Sequence, residues 1–99
     1  MEQDTLQLGG SIELSGFGSI DRGMMIILKK IVGNHARKLS DMSSNFEKLS
    51  IRMKTVHDNK FELHAKLVDN GKVKASSVIG RNLFVAVDSS LKKIMHEIS

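Results

Sequence analysis

Residues 61–78 read FELHAKLVDNGKVKASSV, and the way this stretch folds back on itself decides the architecture of the chain. Phe61, Leu63, Ala65 and Leu67 alternate with Glu62, His64 and Lys66, the two-residue period of a strand with one buried face. Asp69-Asn70-Gly71 follows, and Asn-Gly accepts the positive φ angles of a tight primed turn. Val73, Ala75 and Ser77 then alternate with Lys72, Lys74 and Ser76. The pattern predicts a hairpin whose second strand turns Val73, Ala75 and Ser77 inward and its lysines outward.

Upstream, Leu49, Ile51 and Met53 alternate with Ser50, Arg52 and Lys54, and HDN at 57–59 supplies the turn into the hairpin. Three short-linked strands make an antiparallel meander. Ahead of SDMSSN (40–45, a loop), Ile20, Met24, Ile27, Leu28, Ile31 and Leu39 fall at helical spacing, with His35 on the same stripe. Met25, Ile26 and Val32 widen that stripe, as core flanks or as a self-association surface. Ser11–Ser15 reads as a short strand carrying Ile12 and Leu14. GFGS (16–19) is a tight connection, with Ser19 or Asp21 as helix cap. Downstream, Gly80-Arg81-Asn82 ends the last strand, and Leu83, Phe84, Val87, Leu91, Ile94 and Ile98 form the stripe of a final helix. Residues 1–10 read as a flexible leader and 11–99 as one domain. The expected fold is α+β with order β-α-β-β-β-α. Its four-stranded, mainly antiparallel sheet carries two helices on one face, a sandwich like that of double-stranded-RNA-binding domains.

The chain has 99 residues, no Cys and a net charge of +4. All 15 Lys and Arg lie after residue 10, whereas Glu2 and Asp4 sit in the leader. Such an excess on a small domain suits a polyanion. The N-terminus lacks the basic and apolar regions of a signal peptide, and the longest apolar run is far short of a membrane span. A cytoplasmic protein with no membrane partner is expected.

The outward sheet face is expected to carry Glu13, Arg52, Lys54, Glu62, His64, Lys66, Lys72 and Lys74. The helices add Arg22, Lys29, Lys30 and Arg37 on the first, and Lys92, Lys93 and His96 on the last, with Arg81 between strand and helix. Lys and Arg neutralise phosphates and release counterions without reading sequence. The four Phe are the only aromatic residues, and Phe61 and Phe84 fall on core stripes, so the sheet lacks the exposed rings on which unpaired bases stack. No GxxG loop is present. Structured RNA recognised by shape fits better than single strands.

Catalytic constellations are poor. His35, His57, His64 and His96 lie in different elements with no metal-ligand spacing. There is no GxSxG, and GFGS has Asp21 where a dinucleotide fingerprint needs its third glycine. The chain reads as a binding protein without metal or cofactor.

The run VKASSVIGRNLFVAVDSSLKKIMHEI (73–98) resembles the ribosome hibernation-promoting factor and ribosome-associated translation inhibitor family. Asn82–Asp88 matches the opening of that family's final helix, with Phe84 as its aromatic and Asp88 as its acid, and Lys93-Ile94 matches its end. IELSGFGSIDRGMMIILKKIVGNHARKL (12–39) looks like the family's first strand and long first helix. The resemblance implies a short or divergent member that sits in the decoding channel of the small ribosomal subunit. There it would contact ribosomal RNA and silence or preserve ribosomes under stress. Lys93 stands at a matching basic position, and His96 where a basic residue is common. Two other readings stay open on the residues alone: a general structured-RNA binder, and a protein-interaction module that self-associates, as a homodimer, through a sheet edge or the Met25/Ile26/Val32 patch.

Overall fold

A computed structural model describes residues 5–98. The chain runs β1 (Thr5–Leu8), β2 (Ile12–Ser15), α1 (Arg22–Met42), β3 (Phe46–Val56), β4 (Lys60–Asp69), β5 (Lys72–Gly80) and α2 (Leu83–Ile98). The strands form one sheet in the order β1-β2-β3-β4-β5. All neighbours are antiparallel except β2 and β3, which α1 connects in parallel. Both helices pack on one face and touch each other. The α+β class and the antiparallel meander therefore stand, but the sheet has five strands, not four. The additional one, β1, lies inside the stretch read as a leader. Its TLQL offers a single alternation and follows no strong turn signal; Gly9 and Gly10, both at positive φ, close it onto β2.

The Asn70-Gly71 turn forms as its sequence predicts, with φ of 53° and 79°. It is tied down by Asn45, whose N–H donates to Asp69 Oδ1 (2.8 Å), and by Glu47, whose Oε2 accepts from Gly71 N–H (2.8 Å). That turn sets Lys72 opposite Asp69, and so Lys74 opposite Leu67, Ser76 opposite Ala65 and Val78 opposite Leu63. Directly opposed residues share a sheet face. Hence Lys74, Ser76 and Val78 point to the helices, while Val73, Ala75, Ser77 and Ile79 point to the open face. This inverts the expected pleat of β5. KVKASSVI contains two interleaved alternations of comparable polarity, and the turn register rather than hydrophobicity chooses between them. Ser76 is at home inside because its hydroxyl donates to the Ser90 carbonyl of α2 at 2.7 Å.

The core holds Leu14, Leu28, Val32, Leu39, Leu49, Ile51, Leu63, Leu67, Val87, Leu91 and Ile94, all fully buried. Val32 is thus a core residue and no part of a surface patch, whereas Ile26 and Ile27 are about half exposed. On α2, Ala86 and Ser90 are buried, while Phe84 and Ile98 only flank the core.

The β2–α1 connection depends on Gly16. Its φ is +84°, and a Cβ there would overlap the Met53 carbonyl oxygen. Phe17 is buried immediately afterwards, and Asp21 caps α1 by accepting from Met24 N–H at 2.8 Å.

Candidate nucleic-acid interface

The outer surface of α1 is cationic by arithmetic. Arg22 and Lys29 are seven residues apart, as are Lys30 and Arg37, so each pair stacks on one line of the helix about 10.5 Å apart. The two lines are adjacent, and all four side chains are exposed. Lys38, which the charge pattern alone did not single out, extends the same surface. None of these five cations has an acidic partner among the described residues.

The open sheet face forms a second basic surface. Ser15, Ser50 and Ala75 floor a shallow depression of about 450 Å³, and Lys48, Arg52, His64 and Lys66 stand around it. Register explains the grouping: Arg52 lies opposite His64, Ser50 opposite Lys66 and Lys54 opposite Glu62. Two of these side chains are paired within the face, Lys48 Nζ to Glu13 at 2.6 Å and His64 Nε2 to Glu62 at 3.0 Å. Arg52, Lys54 and Lys66 are exposed and form no ion pair among the described residues. Lys48 precedes Leu49, where the apolar alternation starts, so that alternation does not reach it. The run Lys48, Ser50, Arg52, Lys54 was its available signal.

Lys72 and Lys74 do not belong to this face. The inverted pleat carries them to the helix side of β5, where Lys74 is half-buried and Lys72 exposed. The edge position lets their stems lie along the sheet while the ammonium groups reach water. Arg81 is exposed beside Asn82, whose side chain accepts from Val85 N–H at 3.1 Å and caps α2.

The α2 cations have prior engagements. Lys92 Nζ lies 3.1 Å from Asp88 Oδ2, and Asp88 Oδ1 accepts from His35 Nε2–H at 2.6 Å across the helix–helix seam. The hydrogen bond from His35, then that from Lys92, holds the Asp88 carboxyl below the usual carboxylate range, against partial burial. Lys93 Nζ donates to the Ser77 carbonyl at 3.3 Å, and His96 lines the same shallow groove beside β5. Lys92 and Lys93 are therefore less available to phosphates than those of α1.

All four Phe are buried or half-buried, so the open sheet presents no Phe ring for base stacking. No group of three or more His, Asp or Glu among the described residues could hold a metal ion. No helix among them is long and apolar enough to cross a membrane. No protein-family model matches the chain, and no curated protein matches it either. The likeness to hibernation factors rests on the residues quoted for it.

Proposed function

We propose that this protein is an RNA-binding factor that occupies the small ribosomal subunit and inhibits or preserves ribosomes under stress, in the manner of the family that residues 73–98 resemble. The observation that carries the reading is the pairing of two opposed basic faces on one thin domain. Five cations with no acidic partner among the described residues lie on α1, and Arg52, Lys54 and Lys66 lie on the sheet surface behind it. The shorter extents of the domain are 25 and 24 Å. A body of that shape, cationic front and back, suits a channel walled by RNA on both sides. A single duplex can engage only one face at a time.

Further support comes from the stretch that carries the resemblance. Its Leu83, Ala86 and Val87 are core residues, and its Asp88 joins the two helices. The α-β-β-β-α part of the chain also has the layout of a double-stranded-RNA-binding-domain-like sandwich, a class that holds RNA by shape and phosphate contacts. No chemistry is required of such a protein. Many weak phosphate contacts give affinity that falls steeply with salt.

The test is co-sedimentation with small ribosomal subunits at low and moderate salt, with plain duplex RNA as competitor. Two variants accompany the wild type, Lys30→Glu/Arg37→Glu and Arg52→Glu/Lys66→Glu. Binding that resists the duplex and is weakened by both variants supports the ribosomal reading. Loss in one variant only, with full competition by duplex, supports a general structured-RNA binder. A wild type that stays in the supernatant overturns both.

A further inference from the structure

We infer that β5 is a pairing edge for the β5 of a second copy of this chain, antiparallel and centred on Ser76, so that two protomers share one ten-stranded sheet. This inference uses no part of the RNA reading.

The first ground is which backbone groups are free. In a two-residue hairpin the residues flanking the loop form a hydrogen-bonded pair, here Asp69 and Lys72. Parity then commits the N–H and C=O of Lys74, Ser76 and Val78 to β4, and turns those of Val73, Ala75, Ser77 and Ile79 outward. The Ser77 carbonyl supports this independently, because the Lys93 ammonium reaches it from outside the sheet. β5 is nine residues long and ends the sheet, whereas the other edge, β1, has four. A long unpaired edge is a template for another strand.

The second ground is self-complementarity. Val73 and Ile79 are 58% and 60% exposed, and both lie on the open face. A twofold axis through Ser76 sets Val73 against the partner's Ile79 and Ile79 against the partner's Val73. Val68, opposite Val73 in β4, extends that apolar row. The same axis sets Ala75 against the partner's Ser77. All these residues belong to the outward-facing set, as hydrogen-bonded antiparallel pairs require.

The third ground is charge. Lys72 and Lys74 sit at one end of β5, so the centred register places them opposite the partner's Gly80 and the partner's Val78. Lys74 and the partner's Lys74 are then four residues apart along the ladder, about 14 Å, beyond the screening length of about 8 Å at physiological salt. Parallel pairing, or a slip toward the lysine end, would bring like charges together. The two lysines therefore oppose parallel pairing and any slip toward their own end.

The Lys93 contact must yield. Lys93 leaves the Ser77 carbonyl, which then accepts from the N–H of the partner's Ala75. The bond being released is a long one, made by an exposed side chain. Lys93 thus acts as a weak guard on the edge.

The test is sedimentation equilibrium of nuclease-treated protein in 0.5 M salt, with amide hydrogen exchange measured across a concentration series. Dimer is expected, with Val73, Ala75, Ser77 and Ile79 amides gaining protection as concentration rises, while Ser76 and Val78 stay as they are. Val73→Lys/Ile79→Lys should raise the dimer Kd by about tenfold or more, since each substituted pair becomes a like-charge pair. Val73→Glu/Ile79→Lys should restore association through opposite charges, and Lys93→Ala should tighten it. These surface positions leave the core intact, and a thermal melt of each variant checks that. A monomer at every concentration up to about 1 mM, the weak end of measurable affinity, overturns the inference. So does a dimer that ignores the charge swap or protects other amides.

Discussion

His35 of α1 and Asp88 of α2 are joined across the helix–helix seam by a 2.6 Å hydrogen bond, although 53 residues separate them in the chain. The two ends of this contact differ. His35 is 7% exposed, and its Nδ1 is buried with no hydrogen-bond partner among the described residues. The Asp88 side chain is 38% exposed and has Lys92 as a second partner.

Removing the two residues should therefore have unequal costs. Asp88→Ala strands His35 Nε2 in the seam, at about 1–3 kcal/mol for a buried donor left unmade. His35→Leu removes the orphaned nitrogen together with the bond and leaves Asp88 to Lys92 and water, so stability should change little. Denaturant midpoints of both variants check this, and a His35→Leu variant clearly less stable than Asp88→Ala would refute it.

Acid should act through the same carboxylate. Unfolded Asp titrates near about 3.9, and in the fold Asp88 is shifted below its ordinary value. The stabilisation is thus complete above about pH 4 and is lost as pH falls through the lower folded value. Because solvent reaches the side chain, the contribution is about 1 kcal/mol. The stability gap between wild type and Asp88→Asn should be present at neutral pH and narrow as pH drops below about 4. A gap independent of pH would mean that charge has no part in the contact.

Two glycines should respond oppositely to alanine. At Gly16 the backbone is left-handed and a Cβ meets the Met53 carbonyl, which is backbone and cannot swing away. Gly16→Ala should cost about 3 kcal/mol or fail to fold. Gly33 lies in exposed α1 with nothing within 4 Å of an added Cβ. Gly33→Ala should stabilise by about 0.5–1 kcal/mol. Thermal melts of the two variants suffice.

The helices, β3, β4 and the Asn70-Gly71 turn were legible because their signals are strong and mutually consistent. β5 was legible as a strand but not in its facing. A residue-by-residue pattern cannot see that Ser76 satisfies its hydroxyl on the Ser90 carbonyl, nor that an edge lysine such as Lys74 tolerates the helix side. The α1 cations were found in place, since helical spacing alone puts Arg22, Lys29, Lys30 and Arg37 outside. The sequence places Lys92 among the surface cations but not its pairing, because Asp88 and, through it, His35 meet only in the folded seam. The corrected pleat predicts that Ser76→Asp, with a carboxylate facing a carbonyl, costs about 2 kcal/mol, whereas Ser77→Asp on the open face stays within about 0.5 kcal/mol. The opposite order in denaturant melts would return β5 to the facing its sequence first suggested.

Salt dependence can distinguish the cations that hold RNA from those that hold the fold. Each Lys or Arg neutralising a phosphate contributes about 0.9 to the slope of log affinity against log salt. Lys30→Ala/Arg37→Ala should lower that slope on small subunits by about 2, and Arg52→Ala/Lys66→Ala by a similar amount, if both faces are walled by RNA. On plain duplex RNA only one of these variants should flatten the slope, because a duplex reaches one face at a time. Lys92→Ala should change either slope by well under one unit, since its ammonium already lies 3.1 Å from the Asp88 carboxylate. A Lys92 effect as large as that of Lys30 or Arg37 would show that RNA displaces Asp88, and would make the end of α2 part of the interface. Slopes unchanged in both double variants would remove the two basic faces from any account of binding.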